Sequence, residues 1–220
     1  PSLDPQVTIN FCTGLTQTTA ENRSYYCNFI STGPANGAYV YSIETPFLNL
    51  NEIQRSGFDM EASYRLPLSK IAQTLGGSLT ARFSGTYFEH YRENVNGGGY
   101  IERAGETSAL GTPRFLTTSS LSYDSRLFST SLQMRTISAG KYNSTFTEGV
   151  QINNNTVPGR TYLNLSATLR PTERFEVFGV INNLTDRDPP FAPQNFGFPT
   201  VNVYFDMIGR SYRAGVRYKF

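Results

Sequence analysis

At 220 residues the chain is long enough for one sizeable domain or a large piece of one, and its 19 basic and 17 acidic residues leave a net charge of +2. That balance argues against nucleic acid or an anionic surface as a partner. No run of roughly 18 apolar residues occurs, which excludes a transmembrane helix. The mean hydropathy of −0.36 describes a soluble chain only if apolar and polar residues do not alternate, because alternation cancels them in the average.

Residues 1–50 hold both cysteines, Cys12 and Cys27, in a stretch rich in Thr, Asn and Gly. Two free thiols in a polar loop are one reading. A disulfide closing a surface loop in an oxidising compartment is the favoured one. A metal site lacks ligands, since the chain's one histidine, His90, is remote. A short strand is expected near 38–43. From about residue 52 the pattern changes to a period of two. In 52–66, Phe58, Met60, Ala62, Tyr64 and Leu66 share one face, and Arg55, Asp59, Glu61 and Arg65 the other. In 78–90, Leu79, Ala81, Phe83, Gly85 and Tyr87 oppose Thr80, Arg82, Ser84 and Thr86. Strands over 113–124 and 127–139 alternate less cleanly. In 161–170, Leu163, Leu165, Ala167 and Leu169 oppose Tyr162, Asn164, Ser166, Thr168 and Arg170. A strand over 173–183 follows. The last, 208–220, sets Tyr212, Ala214, Val216, Tyr218 and Phe220 against Ser211, Arg213, Gly215, Arg217 and Lys219.

The pattern therefore predicts an all-β, antiparallel meander of about seven long strands. Most run about 11–15 residues, enough to cross a bilayer at a tilt, where roughly 9–11 are needed; globular strands average about 5–6. The connections alternate in size. Tight turns fall near Asp124–Arg126 and Arg170–Glu173 and a medium one over 67–77, whereas 92–111, 140–159 and 184–207 are long loops. Short turns at one end and long loops at the other are the asymmetry of membrane barrels.

Two sets of residues carry a family resemblance. Asn182-Asn183-Leu184-Thr185-Asp186 ends a strand; Pro189-Pro190, Asp206 and Gly209-Arg210-Ser211-Tyr212 follow, and then the final strand. Upstream, Asn49-Leu50-Asn51 precedes Ser56-Gly57-Phe58-Asp59-Met60-Glu61. Order and spacing over 45–220 resemble the C-terminal barrel portion of TonB-dependent outer-membrane receptors. That resemblance implies a transmembrane β-barrel segment of a larger barrel of roughly 22 strands with a plugged lumen, placed in a bacterial outer membrane. It implies uptake of a scarce ligand such as siderophore-iron, haem, cobalamin or carbohydrate. It further implies the TonB complex as a partner through a plug expected upstream of Pro1, together with an export signal. The final strand, with Tyr212, Val216, Tyr218 and Phe220, resembles the signal read by the barrel-assembly machinery. In this frame residues 1–50 are an extracellular loop with a short hairpin, 51–220 are barrel strands, and the apolar faces meet the lipid bilayer. A passive outer-membrane porin without energy coupling is the alternative.

Catalytic chemistry is not legible. His90 has no evident partner in the sequence, so a barrel enzyme is disfavoured. Asp59 and Glu61 are expected to pair with Arg55, Arg65 or the plug rather than to act as an acid/base couple. No cofactor is implied. The long loops offer aromatics and arginine suited to stacking on planar or ring-shaped ligands: Tyr91, Arg92, Tyr100, Arg103, Tyr142, Phe191, Phe196 and Tyr204. These are the candidate ligand-contacting residues.

Overall fold

The structure is a computed structural model of the chain, and it describes residues 5–15, 20–35, 38–46, 52–94, 99–108, 111–192, 200–201 and 203–220. The chain divides into two compact units, residues 1–53 with 93–100, and residues 54–92 with 101–220.

The first unit is small. It contains two short helices that period-two analysis does not anticipate, α1 (Pro5–Thr13) and α2 (Ala20–Cys27). Pro5 at the first position of α1 suits its fixed φ and missing N–H. Neither helix has a long apolar stripe; Thr8 and Phe11, one turn apart, are the buried residues of α1. The Phe11 ring stacks on Tyr26 of α2 at 4.7 Å. A Cys12–Cys27 disulfide ties the two helices together. In the chain-entropy model, closing a loop of this length stabilises by about 3 kcal/mol, which a unit with so little apolar core requires. A hairpin follows, β1 (Ile30–Ala35) against β2 (Ala38–Ile43), in register from Ile30↔Ile43 to Ala35↔Ala38. The intervening residue types, Asn36 and Gly37, are those that tight hairpins favour.

The second unit is built on one sheet. Its long strands are β3 (Glu52–Pro67), β4 (Ser78–Asn94), β6 (Phe115–Asp124), β7 (Phe128–Ile137), β10 (Arg160–Leu169), β11 (Phe175–Asn182) and β12 (Ser211–Tyr218). They lie in the order β12-β11-β10-β7-β6-β4-β3, with short β5 (Tyr100–Glu102) beside β4. Chain order is thus spatial order, as the alternation of turns and loops predicts. A separate pair, β8 (Gly140–Lys141) and β9 (Thr156–Val157), forms inside the second long loop. The turns at the short end are tight. Ser125 N–H donates to Phe128 O at 2.8 Å, and Leu68 N–H reaches Gly77 O at 3.0 Å across a single 3-10 turn.

Register separates the two faces. Ala81, Leu121, Leu132, Leu165, Ile181 and Tyr212 stand opposite one another in a continuous row across six strands. One residue along each strand, on the other face, Arg82, Ser120, Gln133 and Asn164 form a polar row. Because a one-residue slip would exchange these faces, the register is fixed by which face is covered. Nothing within the described residues covers the apolar face: Phe58, Tyr64, Tyr212 and Val216 are each at least 65% exposed.

Apolar burial lies instead at the long-loop end of the polar face. Ile137, Val157, Tyr162, Ala192, Val201 and Phe205 are buried together, with Leu116, Tyr142 and Tyr204 packed against them. The sheet supplies Leu116, Ile137 and Tyr162; the loops supply the rest.

Candidate functional site at the loop end of the polar face

The site grows from three knots that hold the long loops over the sheet. The first is Glu106, fully buried. Its carboxylate accepts from Arg103 Nη1 at 3.0 and 3.3 Å, from Ser144 N at 3.0 Å, from Ser144 Oγ at 2.6 Å, and from Ser108 Oγ. Thr107 N–H donates to Lys141 O at 2.8 Å beside it. The loop after β5 is thereby fastened to the loop after β7. Burial acts to raise the Glu106 pKa, but the hydrogen bonds from Ser108, Ser144 and Arg103 outweigh it and hold the group below the usual carboxylate range.

The second knot is Glu102, which accepts from His90 Nδ1 at 2.8 Å, Tyr91 N at 2.9 Å, Ala104 N at 3.0 Å and Arg92 Nε at 3.4 Å. His90 therefore does have a carboxylate neighbour, which the sequence did not reveal. That carboxylate is occupied on both oxygens by backbone and side-chain donors, which is the work of a clip. Burial pushes its pKa up, but the donors of Tyr91, His90, Ala104 and Arg92 carry it down to about 2. Since the folded value lies below the unfolded one, the clip's contribution is present above about pH 4.3 and is lost as pH falls toward 2. Amide exchange at Tyr91 and Ala104, corrected for intrinsic rate, is expected to stay protected at pH 4 and to lose protection only near pH 2. Loss of protection at pH 4 to 5 would contradict this placement.

The third knot joins the ends of the last long loop. Asn183 and Asp186 adopt left-handed backbone, φ 49° and 51°, which Asn and Asp tolerate better than most residues. Asn183 N–H donates to Asn164 Oδ1 at 2.9 Å, and the Asn183 side chain bridges Arg187 N and O. Asp186 receives Arg210 N at 2.9 Å and Arg210 Nη2 at 3.2 Å. The Asn-Asn-Leu-Thr-Asp and Gly-Arg segments that carry the family resemblance are thus the two halves of one clip.

Beside the loop core, and sharing Leu116, Ile137 and Tyr204 with it, lies a groove of about 360 Å³, lined also by Ser84, Thr86, Thr118 and Arg135. The Arg135 guanidinium sits 5.6 Å from the Tyr162 ring centroid and donates to the Tyr204 carbonyl. Tyr204 Oη in turn donates to Gly111 O at 2.7 Å. Burial pushes the Tyr204 pKa up, against a hydrogen bond with Thr112. Nearby, Arg55 lies over the Tyr91 ring at 4.3 Å. Such a surface, with hydroxyls, one guanidinium and tyrosine rings, can hold an oxygen-rich ligand by hydrogen bonds and stacking. Among the described residues no group of three His, Cys, Asp or Glu side chains could hold a metal ion.

The sequence-nominated contact residues divide. Tyr91 and Arg103 are buried, under Arg55 and against Glu106. Tyr142 and Tyr204 pack on the loop core. Arg92 is exposed and bound to Glu102. Tyr100, in the first unit, donates to Glu52. Phe191 is 78% exposed, and Phe196 lies outside the described residues. The expected pairing of Asp59 and Glu61 with Arg55 and Arg65 does not form. Asp59 accepts from Thr86 Oγ1 at 2.7 Å, and Arg65 donates to Ser78 Oγ at 3.2 Å. Arg135 and Tyr162 were not nominated, although alternation already put Tyr162 on the polar face.

No family model matches the chain, and no curated protein does. Solved structures do resemble it. The FrpB iron transporter from Neisseria meningitidis aligns with a TM-score of 0.50 at 18% identity, over 86% of this chain and 26% of its own. A mutant of the ferric enterobactin receptor PfeA from Pseudomonas aeruginosa aligns with a TM-score of 0.50 at 17% identity, over 87% of this chain and 26% of its own. The chain therefore spans about a quarter of the length of either protein. At these identities the likeness is one of fold: long antiparallel strands in a meander.

Proposed function

We propose that this chain is a stretch of the β-barrel of a TonB-dependent outer-membrane receptor, and that the receptor takes up a ferric chelate. The observation that carries this reading is the apolar row from Ala81 to Tyr212, uncovered on one face of the sheet. Of the strands it crosses, β4, β6, β7 and β10 have 17, 10, 10 and 10 residues, enough to cross a bilayer at a tilt, whereas β11 and β12, with 8 each, fall just short of that length and of the about 11–15 that the sequence pattern predicts. The sheet's opposite face is polar, and the large loops gather at one end, as outer-membrane barrels arrange them. The apolar face meets lipid, the polar face lines the lumen, and the long loops face outward from the cell. The fold likeness to an iron transporter and a ferric enterobactin receptor, with the hydroxyl- and tyrosine-lined groove under Arg135, favours an iron-bearing chelate among the scarce ligands such receptors import.

Energy coupling separates this reading from a passive porin. Cells making the full-length receptor are expected to accumulate radiolabelled ferric catecholate only when TonB is present. Equal accumulation without TonB would make the protein a passive channel.

Assembly is the role we assign to the last strand. Tyr212, Val216 and Tyr218 share the apolar face, and Phe220 meets Tyr218 edge-on at 5.2 Å, at the level where barrels carry aromatic girdles. Deleting Phe220 from the receptor is expected to lower its surface abundance severalfold while leaving ligand affinity per folded molecule unchanged. Normal abundance with lost binding would reverse the assignment.

A further inference from the structure

The hairpin of the first unit has two edges of unequal character. β1 and β2 form a two-stranded sheet, and among the described residues no further strand pairs with either. Glu44 N–H donates to Phe29 O at 2.9 Å, one step beyond the Ile30↔Ile43 pair. Antiparallel pairs alternate between bonded and non-bonded, so Ser31↔Ser42, Gly33↔Val40 and Ala35↔Ala38 spend their N–H and C=O groups within the hairpin. Ile30, Thr32 and Pro34 of β1, and Tyr39, Tyr41 and Ile43 of β2, turn theirs outward. The outward row of β1 includes Pro34, which has no N–H to offer. In β2 the residues Ala38-Tyr39-Val40-Tyr41-Ser42-Ile43 include no charge and no proline, and Tyr, Val and Ile are strong strand formers. One edge is thus guarded and the other open.

We propose that β2 pairs edge to edge with β2 of a second copy of this protein, giving a four-stranded antiparallel sheet on a two-fold axis. A lone two-stranded hairpin is marginal in water, and the unit's core of Phe11 and Tyr26, with Val7 and Phe29 against them, draws nothing from β1 or β2. The residue order suits an axis through Val40. Tyr39 of each copy then stands opposite Tyr41 of the other as a hydrogen-bonded pair, and Val40 opposite Val40 as a non-bonded one. No charge enters the seam. A second copy is chosen over an unlike strand because the segment is self-complementary about Val40, and because this pairing closes. Both edges of the four-stranded sheet are then β1, where Pro34 withholds a donor, so assembly stops at two copies. Head-to-tail pairing of β2 on β1 would meet that gap at once. The inference stands on the hairpin backbone and goes beyond the receptor reading, on which it does not depend.

The test uses the full-length protein purified in detergent, in which Cys12 and Cys27 are already bonded to each other. Val40→Cys sets two thiols across the axis with Cα atoms about 4.5 Å apart, within the span of a disulfide. Under air with copper phenanthroline the thiols join as an intermolecular disulfide, dioxygen taking up their electrons and protons, and a covalent dimer is the expected product. Ser42→Cys is offset from its own mate by four residues, about 13 Å, and should give at most about a tenth as much. In sedimentation, Tyr41→Pro deletes an outward N–H and spares the hairpin's own ladder. It is expected to raise the dimer dissociation constant about tenfold or more, since the axis removes two hydrogen bonds at once. Thr32→Pro makes the same lesion on the outer edge of β1 and should leave the dimer intact. A monomeric wild type without a Val40→Cys cross-link would overturn the proposal. So would equal cross-linking from the two cysteine positions, or equal dissociation by the two prolines. A protein that dimerises in this way yet imports without TonB would lose the receptor reading and keep this one.

Discussion

Leu165→Arg is expected to destabilise the assembled barrel by about 2–4 kcal/mol, the penalty measured for arginine on a lipid-facing strand near the bilayer midplane. Leu165 is central in the apolar row: it faces Leu132 on one side and Ile181 on the other. Arginine there must carry its charge through the lipid-facing surface or drag water inward. The control belongs one residue away, where the side chain turns to the polar face. Asn164 looks suitable from alternation alone, but its side chain holds Asn183 N–H at 2.9 Å and donates to Gln133 at 3.1 Å. Ser166 shares a recess with Arg213 and Arg217, so Ser120, one residue from Leu121 of the same apolar row and on the polar face beside Glu61, is the cleaner site, and Ser120→Arg is expected to cost well under about 1 kcal/mol. Denaturant unfolding of the full-length receptor in lipid vesicles measures both. Equal losses at the two positions would show that the alternation does not report a membrane.

Glu106→Ala is expected to have the other large effect, and a different reach. It removes the carboxylate from a guanidinium that is itself buried, Arg103, and leaves the Ser144 N–H and the Ser108 hydroxyl without their acceptor. Removing one partner of a buried ion pair costs about 3–5 kcal/mol. The knot lies in the loops, so the loss should appear as local opening rather than unfolding of the sheet. Hydrogen exchange over 103–108 and 141–144 should accelerate by about two to four orders of magnitude, with the β6, β7 and β10 amides unchanged. Glu106→Gln keeps an acceptor oxygen and should fall between. Uniform acceleration across the strands would mean that the knot supports the whole fold.

These two sites mark how far the sequence could be read. The apolar row was legible because alternation is a local property: Leu163, Leu165 and Leu169 reveal their shared face without reference to any other strand. Expected boundaries for β3, β4, β6, β7, β10, β11 and β12 accordingly fall within a few residues of those observed. The helices of residues 5–13 and 20–27 were not legible, since a nine-residue helix with two buried positions has too little periodicity to register. The loop core was hidden for another reason. Val157 comes from the loop between β7 and β10, and Ala192, Val201 and Phe205 from the loop between β11 and β12, so the core forms only where the sheet brings the two loops together. Arg103 shows the same limit. An arginine in an aromatic loop suggested a ligand contact, but the acid three residues later takes it first; the Arg-x-x-Glu spacing was the available signal. What the family motifs do physically, closing the ends of a loop, was likewise invisible until Asp186 and Arg210 were seen together.

That closure has an evolutionary side. With Asp186 and Arg210 bonded to each other, the mouth of the final loop is set by its first and last residues, and the sheet beneath does not register what is threaded between them. Lengthening a loop whose ends are already pinned costs little in chain entropy, about 0.6 kcal/mol for each doubling. Provided Pro190, Ala192, Val201 and Phe205 keep their seats in the core, exposed positions such as Phe191 and Val203 are free to diversify. The clip therefore makes this loop an exchangeable cassette, whose sequence and length can change while the sheet beneath it is inherited unchanged.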